Sequence, residues 1–339
     1  MNTVLLGPVW SEVEDMKGHP LLCEAASKLE SVLKASHASS TDKQYCSNFA
    51  KFKDWCRITG LGYLPSRSST VAVYLSYLVQ QSVSVSTLNS HFYSIKWQHD
   101  FADLPNPCTD KFVLKSLEGA KRILSKPIFK KSPISVEHIE SIFRKYGNSE
   151  NVKDLRLCTL CILGFAGFFR FSELVDLKMS NCVLKSSHLE ITLVHSKTDV
   201  YRQGNVVVIA KTGKKTCPVA CFVKYITAAG LSFGADSYIF RAVSFCKSTG
   251  TYKLCSRNQA LSYTRVREIF LGAISEIGLK KSEFGLHSLR AGGATIAANN
   301  GISERLFKAH GRWASEKAKD GYVLDDLDHK ISVSANLGI

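Results

Sequence analysis

The sequence predicts a mostly α-helical protein with a small β-sheet, built as an N-terminal helical domain followed by a C-terminal mixed α/β domain. Three observations support this prediction. Apolar residues recur at helical spacing through most of the first 125 residues. The segment SKPIFKKSP then supplies two prolines and several polar residues, as interdomain linkers do. Alternating apolar residues between Leu189 and Ile209 indicate two or three strands inside the second domain.

The N-terminal part is expected to contain five helices after an irregular, flexible start over residues 1–20. Ser39, Ser40 and Thr41 are candidate N-caps for the second helix, which ends before Gly60. The apolar stripes of these helices are interpreted as core positions. The predicted helices cover residues 20–37, about 41–59, 70–81, from 86 or 87 onward, and 110–125.

The C-terminal part is expected to begin with a helix capped by Ser135, followed by a long apolar helix over residues 152–168. Further helices are predicted after the strands, near residues 218–229, 262–277, 287–299 and 303–310. The predicted domains are a helical domain (21–125), a linker (126–133), a second domain (134–325) and a C-terminal helix (326–339).

Bulk properties point to a polyanionic partner. The chain of 339 residues carries a formal net charge of +15, for which nucleic acid is the default partner, while composition alone leaves a basic but unrelated soluble protein as an even alternative. It has no apolar run long enough for a membrane helix and no convincing secretion signal, so we expect no membrane association and no secretion. Of the eleven cysteines, Cys158 and Cys161 are interpreted as buried thiols rather than metal ligands, which fits a reducing compartment.

The segment around His287 and Arg290 carries the strongest chemical signal. Residues three apart share one face of a helix, so both side chains can approach one small anion. Arginine suits a phosphate, and histidine exchanges protons near neutral pH. Tyr322 is a possible oxygen nucleophile, although a surface helix and core aromatics are the simpler alternatives. Together these residues suggest phosphotyrosyl transfer.

Two earlier residues strengthen that hypothesis. Arg170 follows the apolar run LCTLCILGFAGFF, and Lys197 lies in HSKTD near a predicted hairpin turn. The ordered set resembles the tyrosine recombinase (phage integrase) family, and within it the Cre-like members, which have tryptophan where most members have histidine. The resemblance covers the C-terminal two-thirds closely and the N-terminal third by helix pattern only. The matching residues are Arg170, Glu173, Lys197, His287, Arg290, Trp313 and Tyr322.

The resemblance implies a role for each of these residues. Tyr322 would attack a DNA phosphate to give a 3′-phosphotyrosyl bond, with Arg170 and Arg290 as the phosphate clamp. Lys197 would protonate the leaving 5′-hydroxyl oxygen, and Trp313 would donate its indole N–H to a nonbridging oxygen. His287 would support proton transfer at the nucleophile. No cofactor and no metal are implied.

Two further residues are expected to support the site. Glu173 would orient His287 or the loop around it. His310 lies too far from Tyr322 to replace Trp313 and is expected to have a supporting or structural role.

The partner is expected to be double-stranded DNA, bound by a dimer on each site and a homotetramer overall. Thr264 and Arg265 would reach the major groove, although a helix terminus on a phosphate is the alternative. The C-terminal helix would dock on a neighbouring subunit or on its own domain. The source is expected to be a mobile element, with the protein in the nucleus if eukaryotic and otherwise in the cytoplasm. The candidate DNA contacts are Lys43, Gln44, Lys51, Asn89, Lys96, Thr264 and Arg265.

Three competing hypotheses remain at this point. A DNA-binding regulator could have kept the fold and lost strand exchange, but the complete set of catalytic residues argues against it. A type IB topoisomerase-like relaxase would use the same chemistry without pairing two sites. A basic scaffold would have no DNA chemistry at all.

Overall fold

The computed structural model describes residues 7–127, 129–194 and 204–338. Its contacts divide the chain into two compact units, Met1–Ile128 and Phe129–Ile339. Each unit has a hydrophobic core of its own. No helix in the described part of the chain is both long enough and apolar enough to cross a bilayer.

The first unit is helical. Helices predicted from the apolar stripes are confirmed near residues 70–81, 86 onward and 110–125, and they start at the side-chain caps of Ser84 and Asp110 where capping bonds form. Ser39 and Ser40 lie inside the first turn of their helix, so the prediction that they cap it was wrong. The helices are α1 (Pro8–Met16), α2 (Cys23–Lys34), α3 (Ser39–Ile58), α4 (Ser68–Gln80), α5 (Val85–Phe101) and α6 (Lys111–Leu124).

Helix α1 corrects the expectation of an irregular segment over residues 1–20. Pro8 occupies its first turn, where the missing N–H costs nothing. Trp10 and Val13 are buried, and the indole Nε1 of Trp10 donates to the carbonyl oxygen of Phe101 at 2.7 Å. The helix therefore forms because its apolar side has a partner on α5.

The second unit is built around one helix in which every residue from 155 to 164 is buried. Cys158, Cys161 and Leu163 of this helix are buried, as expected for a helix inside a core. Both cysteines are free thiols, which confirms the interpretation made from sequence. The helices are α7 (Val136–Ile142), α8 (Val152–Ala166), α9 (Phe171–Val175), α10 (Pro218–Ala228), α11 (Tyr263–Glu276), α12 (His287–Asn299), α13 (Glu304–Gly311), α14 (Glu316–Asp320) and α15 (Leu327–Ala335).

Two antiparallel sheets accompany these helices. The first has the order β1–β2–β3, with Leu189 opposite Ile209 and both side chains in the core. The second is a hairpin of β4 and β5, which was not predicted because its strands are short. The strands are β1 (Cys182–Leu184), β2 (His188–Leu193), β3 (Asn205–Ala210), β4 (Val243–Cys246) and β5 (Thr251–Leu254).

Candidate active site

Arg170 lies in the turn that follows α8. Gly167 permits this turn, because a Cβ atom there would lie 2.2 Å from the ring of Phe169. Arg170 is the N-cap residue of α9, and its backbone N–H donates to Oε2 of Glu173 at 2.9 Å. Its guanidinium Nη1 donates to Oε1 of the same carboxylate at 2.6 Å. The turn and the first turn of α9 therefore fix the direction of the Arg170 side chain.

Glu173 is the centre of a buried ionic cluster. Its Oε2 atom lies 2.8 Å from Nη2 of Arg312 and 3.8 Å from Nη1 of Arg290. Burial raises the pKa of Glu173, but the ion pair with Arg312 and the bonds from Arg170 outweigh burial and bring that pKa below its ordinary value. The expectation from sequence was that Glu173 would orient His287 or its loop. The contacts of its carboxylate show that it orients arginines.

Glycines bring α12 against its neighbours and so place Arg290 in the site. A Cβ atom on Gly292 would lie 2.0 Å from the carbonyl oxygen of Ile134. One on Gly293 would lie 2.1 Å from the carbonyl oxygen of Phe165 at the end of α8. Because backbone cannot move aside as a flexible side chain can, these two positions accept only glycine in this packing.

Arg290 is fully buried, yet its terminal nitrogens have partners. Nη1 donates to the carbonyl oxygen of Phe168, and Nη2 donates to that of Gly311 at 2.5 Å. Burial lowers the pKa of Arg290, and the like charges of Arg170 and Arg312 lower it further. A guanidinium has so high an ordinary pKa that Arg290 remains charged at neutral pH.

Two aromatic rings lie next to this guanidinium, and a third ring lies beside one of them. Its Cζ atom lies 4.7 Å from the ring centroid of Trp313 and 4.9 Å from that of Tyr322. The two rings are 5.8 Å apart, and the ring of His287 lies 6.3 Å from that of Tyr322. Four of the residues predicted to act together are thus neighbours, although they come from positions 287 to 322.

Trp313 carries an unusual polar atom. Its side chain is packed with Phe168 and Phe307, and the residue is only 4% exposed. The indole Nε1 is buried and has no hydrogen-bond partner among the described residues. Buried N–H groups are rarely left unpaired, so this donor calls for an acceptor.

Tyr322 is held in place by its own domain. Its carbonyl oxygen accepts a hydrogen bond of 3.3 Å from Oγ1 of Thr295 on α12, and the same Oγ1 accepts one from the backbone of Leu324 at 3.1 Å. Lys319, just before it on α14, pairs with Glu304 on α13. The tyrosine therefore lies in the site formed by its own chain.

Lys197 lies outside the described residues. His310 donates from Nε2 to the carbonyl oxygen of Ala166 at 2.9 Å, since that oxygen can only accept. Its ring meets the ring of Phe168 edge-on, and burial lowers its pKa. Its contacts are those of a neutral side chain that packs beside the site.

The candidate DNA contacts lie on three helices, α3, α5 and α11. Asn89 differs from the rest, because its Oδ1 atom is buried and has no partner within the described ranges. Nη1 of Arg265 lies 3.2 Å from Oε2 of Glu268. Ser262 is the N-cap residue of α11. The others are exposed or half-buried: Lys43, Gln44 and Lys51 on α3, Lys96 on α5, and Thr264 on α11.

Sequence reasoning missed Arg312. It is the C-cap of α13, in the left-handed region with φ of 56°, and it is buried in the ionic cluster around Glu173. The available signal was an arginine at a helix end, between Gly311 and Trp313, where glycine or asparagine is common.

Comparisons with known proteins agree with this site. No family model matches the chain. It is 29% identical over 297 residues to the integrase/recombinase xerD homolog of Selenomonas ruminantium, covering 86% of this chain and 83% of that protein. It is 19% identical over 281 residues to the recombinase Cre of Escherichia phage P1, covering 79% of each.

Solved structures show the same fold. The XerH recombinase in a post-cleavage complex superposes with a TM-score of 0.62 and 15% identity, over 99% of this chain and 91% of that one. The lambda integrase dimer bound to a core site gives a TM-score of 0.56 and 15% identity, over 89% and 94%. The chain is therefore similar to site-specific recombinases in sequence and to tyrosine recombinases in fold. It also brings Arg170, Arg290, Trp313 and Tyr322 together in one site.

Proposed function

We propose that this protein is a site-specific recombinase that cleaves and rejoins DNA strands through a 3′-phosphotyrosyl bond to Tyr322. The observation that carries the proposal is that Tyr322 and Trp313 lie next to the buried guanidinium of Arg290, with the ring of His287 beside Tyr322. Both curated relatives are recombinases by name.

The reaction assigns a task to each side chain. The phenol oxygen of Tyr322 attacks the phosphorus of a DNA diester, so that a Tyr–O–P bond forms and the bond to the 5′ oxygen breaks. The exposed ring of His287 beside Tyr322 takes up the phenol proton, and the 5′ oxygen leaves as a hydroxyl after protonation, for which the family resemblance designates Lys197. A 5′-hydroxyl from a partner strand then reverses these steps and restores the diester.

The arginines and Trp313 act on the phosphate oxygens. Negative charge grows on these oxygens as phosphorus becomes five-coordinate, and fixed donors stabilise that charge. Arg170 is 13% exposed and lies at the edge of the buried cluster, where its remaining donors can meet a phosphate. The unpaired Nε1 of Trp313 gains an acceptor when a nonbridging oxygen enters the site.

Binding to double-stranded DNA follows from charge and helix position. The net charge of +15 supports binding that weakens as salt increases. We assign the first unit, with Lys43, Gln44 and Lys51 exposed on α3, as a core-binding domain that contacts the duplex. A mobile element is the proposed source, and the nucleus the proposed location in a eukaryotic host.

Assembly into a tetramer, with a dimer on each site, is supported by two exposed apolar surfaces, one on α15 and one in a cleft. Helix α15 exposes Leu327 and Val333 at 69% and 70%. A cleft of about 510 Å³ between β3 and α12–α13 is lined by the exposed side chains of Val206, Ile302 and others. We propose that α15 of a second copy fills this cleft. Deletion of residues 326–339 should then abolish recombination while preserving formation of the covalent bond.

The test traps the covalent intermediate. The protein is incubated in EDTA with nicked genomic fragments from its own source and denatured in SDS, and any DNA attached to the protein is sequenced. The wild-type protein should give an adduct and the Tyr322→Phe variant none. DNA binding without an adduct from the wild type would refute the proposed chemistry and favour a DNA-binding regulator.

A further inference from the structure

Arg312 adopts a backbone conformation that its residue type disfavours. Its φ and ψ of 56° and 42° lie in the left-handed region, where a Cβ atom is crowded and glycine is preferred. The glycine just before it, Gly311, is required for a different reason: a Cβ atom there would lie 1.8 Å from the ring of Trp313. An arginine in this position needs a compensating interaction of its side chain.

The Arg312 side chain supplies that compensation. Only 2% of it is exposed. Nη1 donates to the carbonyl oxygens of Gly167 at 3.1 Å and His310 at 2.5 Å. Nη2 donates to the carbonyl oxygen of Phe168 and to Oε2 of Glu173, both at 2.8 Å. The four terminal N–H groups are therefore used by oxygens of the protein.

These partners belong to the elements that carry the catalytic arginines. Gly167 and Phe168 form the turn that leads into Arg170, and the Phe168 carbonyl oxygen also accepts from Arg290. Glu173 accepts from Arg170 through Oε1 and from Arg312 through Oε2. One guanidinium thus ties the turn before Arg170, the carboxylate that aims Arg170, and the segment that ends in Trp313.

We propose that Arg312 is a positioning residue for phosphate cleavage, a role that rests on the proposed function. It fixes the turn carrying Arg170 relative to Trp313 and occupies one oxygen of Glu173, so that Arg170 and Arg290 keep donors for the substrate. Because it acts through other residues, its loss should slow the chemical step far more than it weakens DNA binding.

The test uses two substitutions with different backbone consequences. Arg312→Gly removes the guanidinium but suits the left-handed conformation, and Arg312→Lys keeps the charge but cannot form the four bonds at once. The control is Arg305→Lys, on the exposed side of the same helix. The substrate is a nicked duplex carrying the site recovered by trapping, cleaved in single turnover, with DNA affinity and Tm measured on each protein.

We expect both Arg312 variants to cleave about 10²-fold more slowly than wild type at saturating protein, as for a small misplacement of reacting groups. DNA affinity should change little, and Arg305→Lys should match wild type in every measurement. Wild-type cleavage by either Arg312 variant would overturn the inference. A loss of cleavage that is matched by equal losses of DNA affinity and Tm would also overturn the inference, because it would show that Arg312 only stabilises the fold. A wild-type protein that forms no adduct would overturn the proposed function, and this inference with it.

Discussion

Replacing Trp313 by phenylalanine isolates the indole N–H from the packing of the ring. Phenylalanine still fills much of the space between Phe168 and Phe307. If the N–H donates to a phosphate oxygen only when DNA is bound, the variant loses a hydrogen bond to a charged group, about 1.5–3 kcal/mol. Single-turnover cleavage should then slow about 10- to 150-fold.

The free protein should respond differently. Removal of ring volume destabilises a core, but removal of a buried unpaired donor stabilises it by about 1–3 kcal/mol, so the two effects oppose each other at Trp313. Trp10→Phe is the matched control, because the Nε1 of Trp10 already donates to Phe101. That variant should be destabilised and should cleave normally.

The assay is cleavage of a nicked duplex by each variant, together with thermal denaturation. Trp313→His should recover part of the rate, because a histidine also presents an N–H donor. The reasoning fails if Trp313→Phe cleaves as fast as wild type, or if Trp10→Phe slows cleavage to the same degree.

Two further predictions concern the scaffold of the site. Gly293→Ala should lower Tm strongly, because its Cβ atom would lie 2.1 Å from a backbone oxygen of α8, whereas Gly119→Ala, with open space around it, should not. Glu173 has a folded-state pKa below its ordinary value of 4.5, so its contribution to stability is present above that pH and is lost as pH falls through the folded-state pKa. Glu173→Gln should therefore be less stable at neutral pH and show a shallower loss of stability in acid; an unchanged acid limb would contradict this assignment.

Local patterns determined which elements could be predicted. Ser135 caps its helix as predicted, because a cap depends on residues only a few positions away. Helix α1 was missed because Trp10 is stabilised by Phe101, which is 91 residues away. The β4–β5 hairpin was missed because its strands are short, and one of its contacts, between Tyr252 and Lys153 of α8, joins residues that are distant in the sequence.

The site shows the same division. Family spacing led to Arg290, Trp313 and Tyr322, and the structure brings these three together. The family spacing could not reveal that Glu173 binds Arg312. The two residues are 139 positions apart, and the residues around each of them do not indicate the pairing. This ion pair forms only when two segments that are distant in the sequence pack together, so it depends on the folded domain and not on local sequence.

The charges of this cluster bear on how the site discriminates between substrate and transition state. Arg170, Arg290 and Arg312 contribute three positive charges, and Glu173 contributes one negative charge. A phosphodiester adds one negative charge and leaves the cluster with an excess of one positive charge. The five-coordinate transition state adds two, and the cluster becomes neutral. Because these groups are buried, an unbalanced charge is costly, so the arrangement stabilises the transition state more than the bound substrate. Arg312 contributes to that balance although its N–H groups face the protein, which is why its charge and its hydrogen bonds must be tested separately.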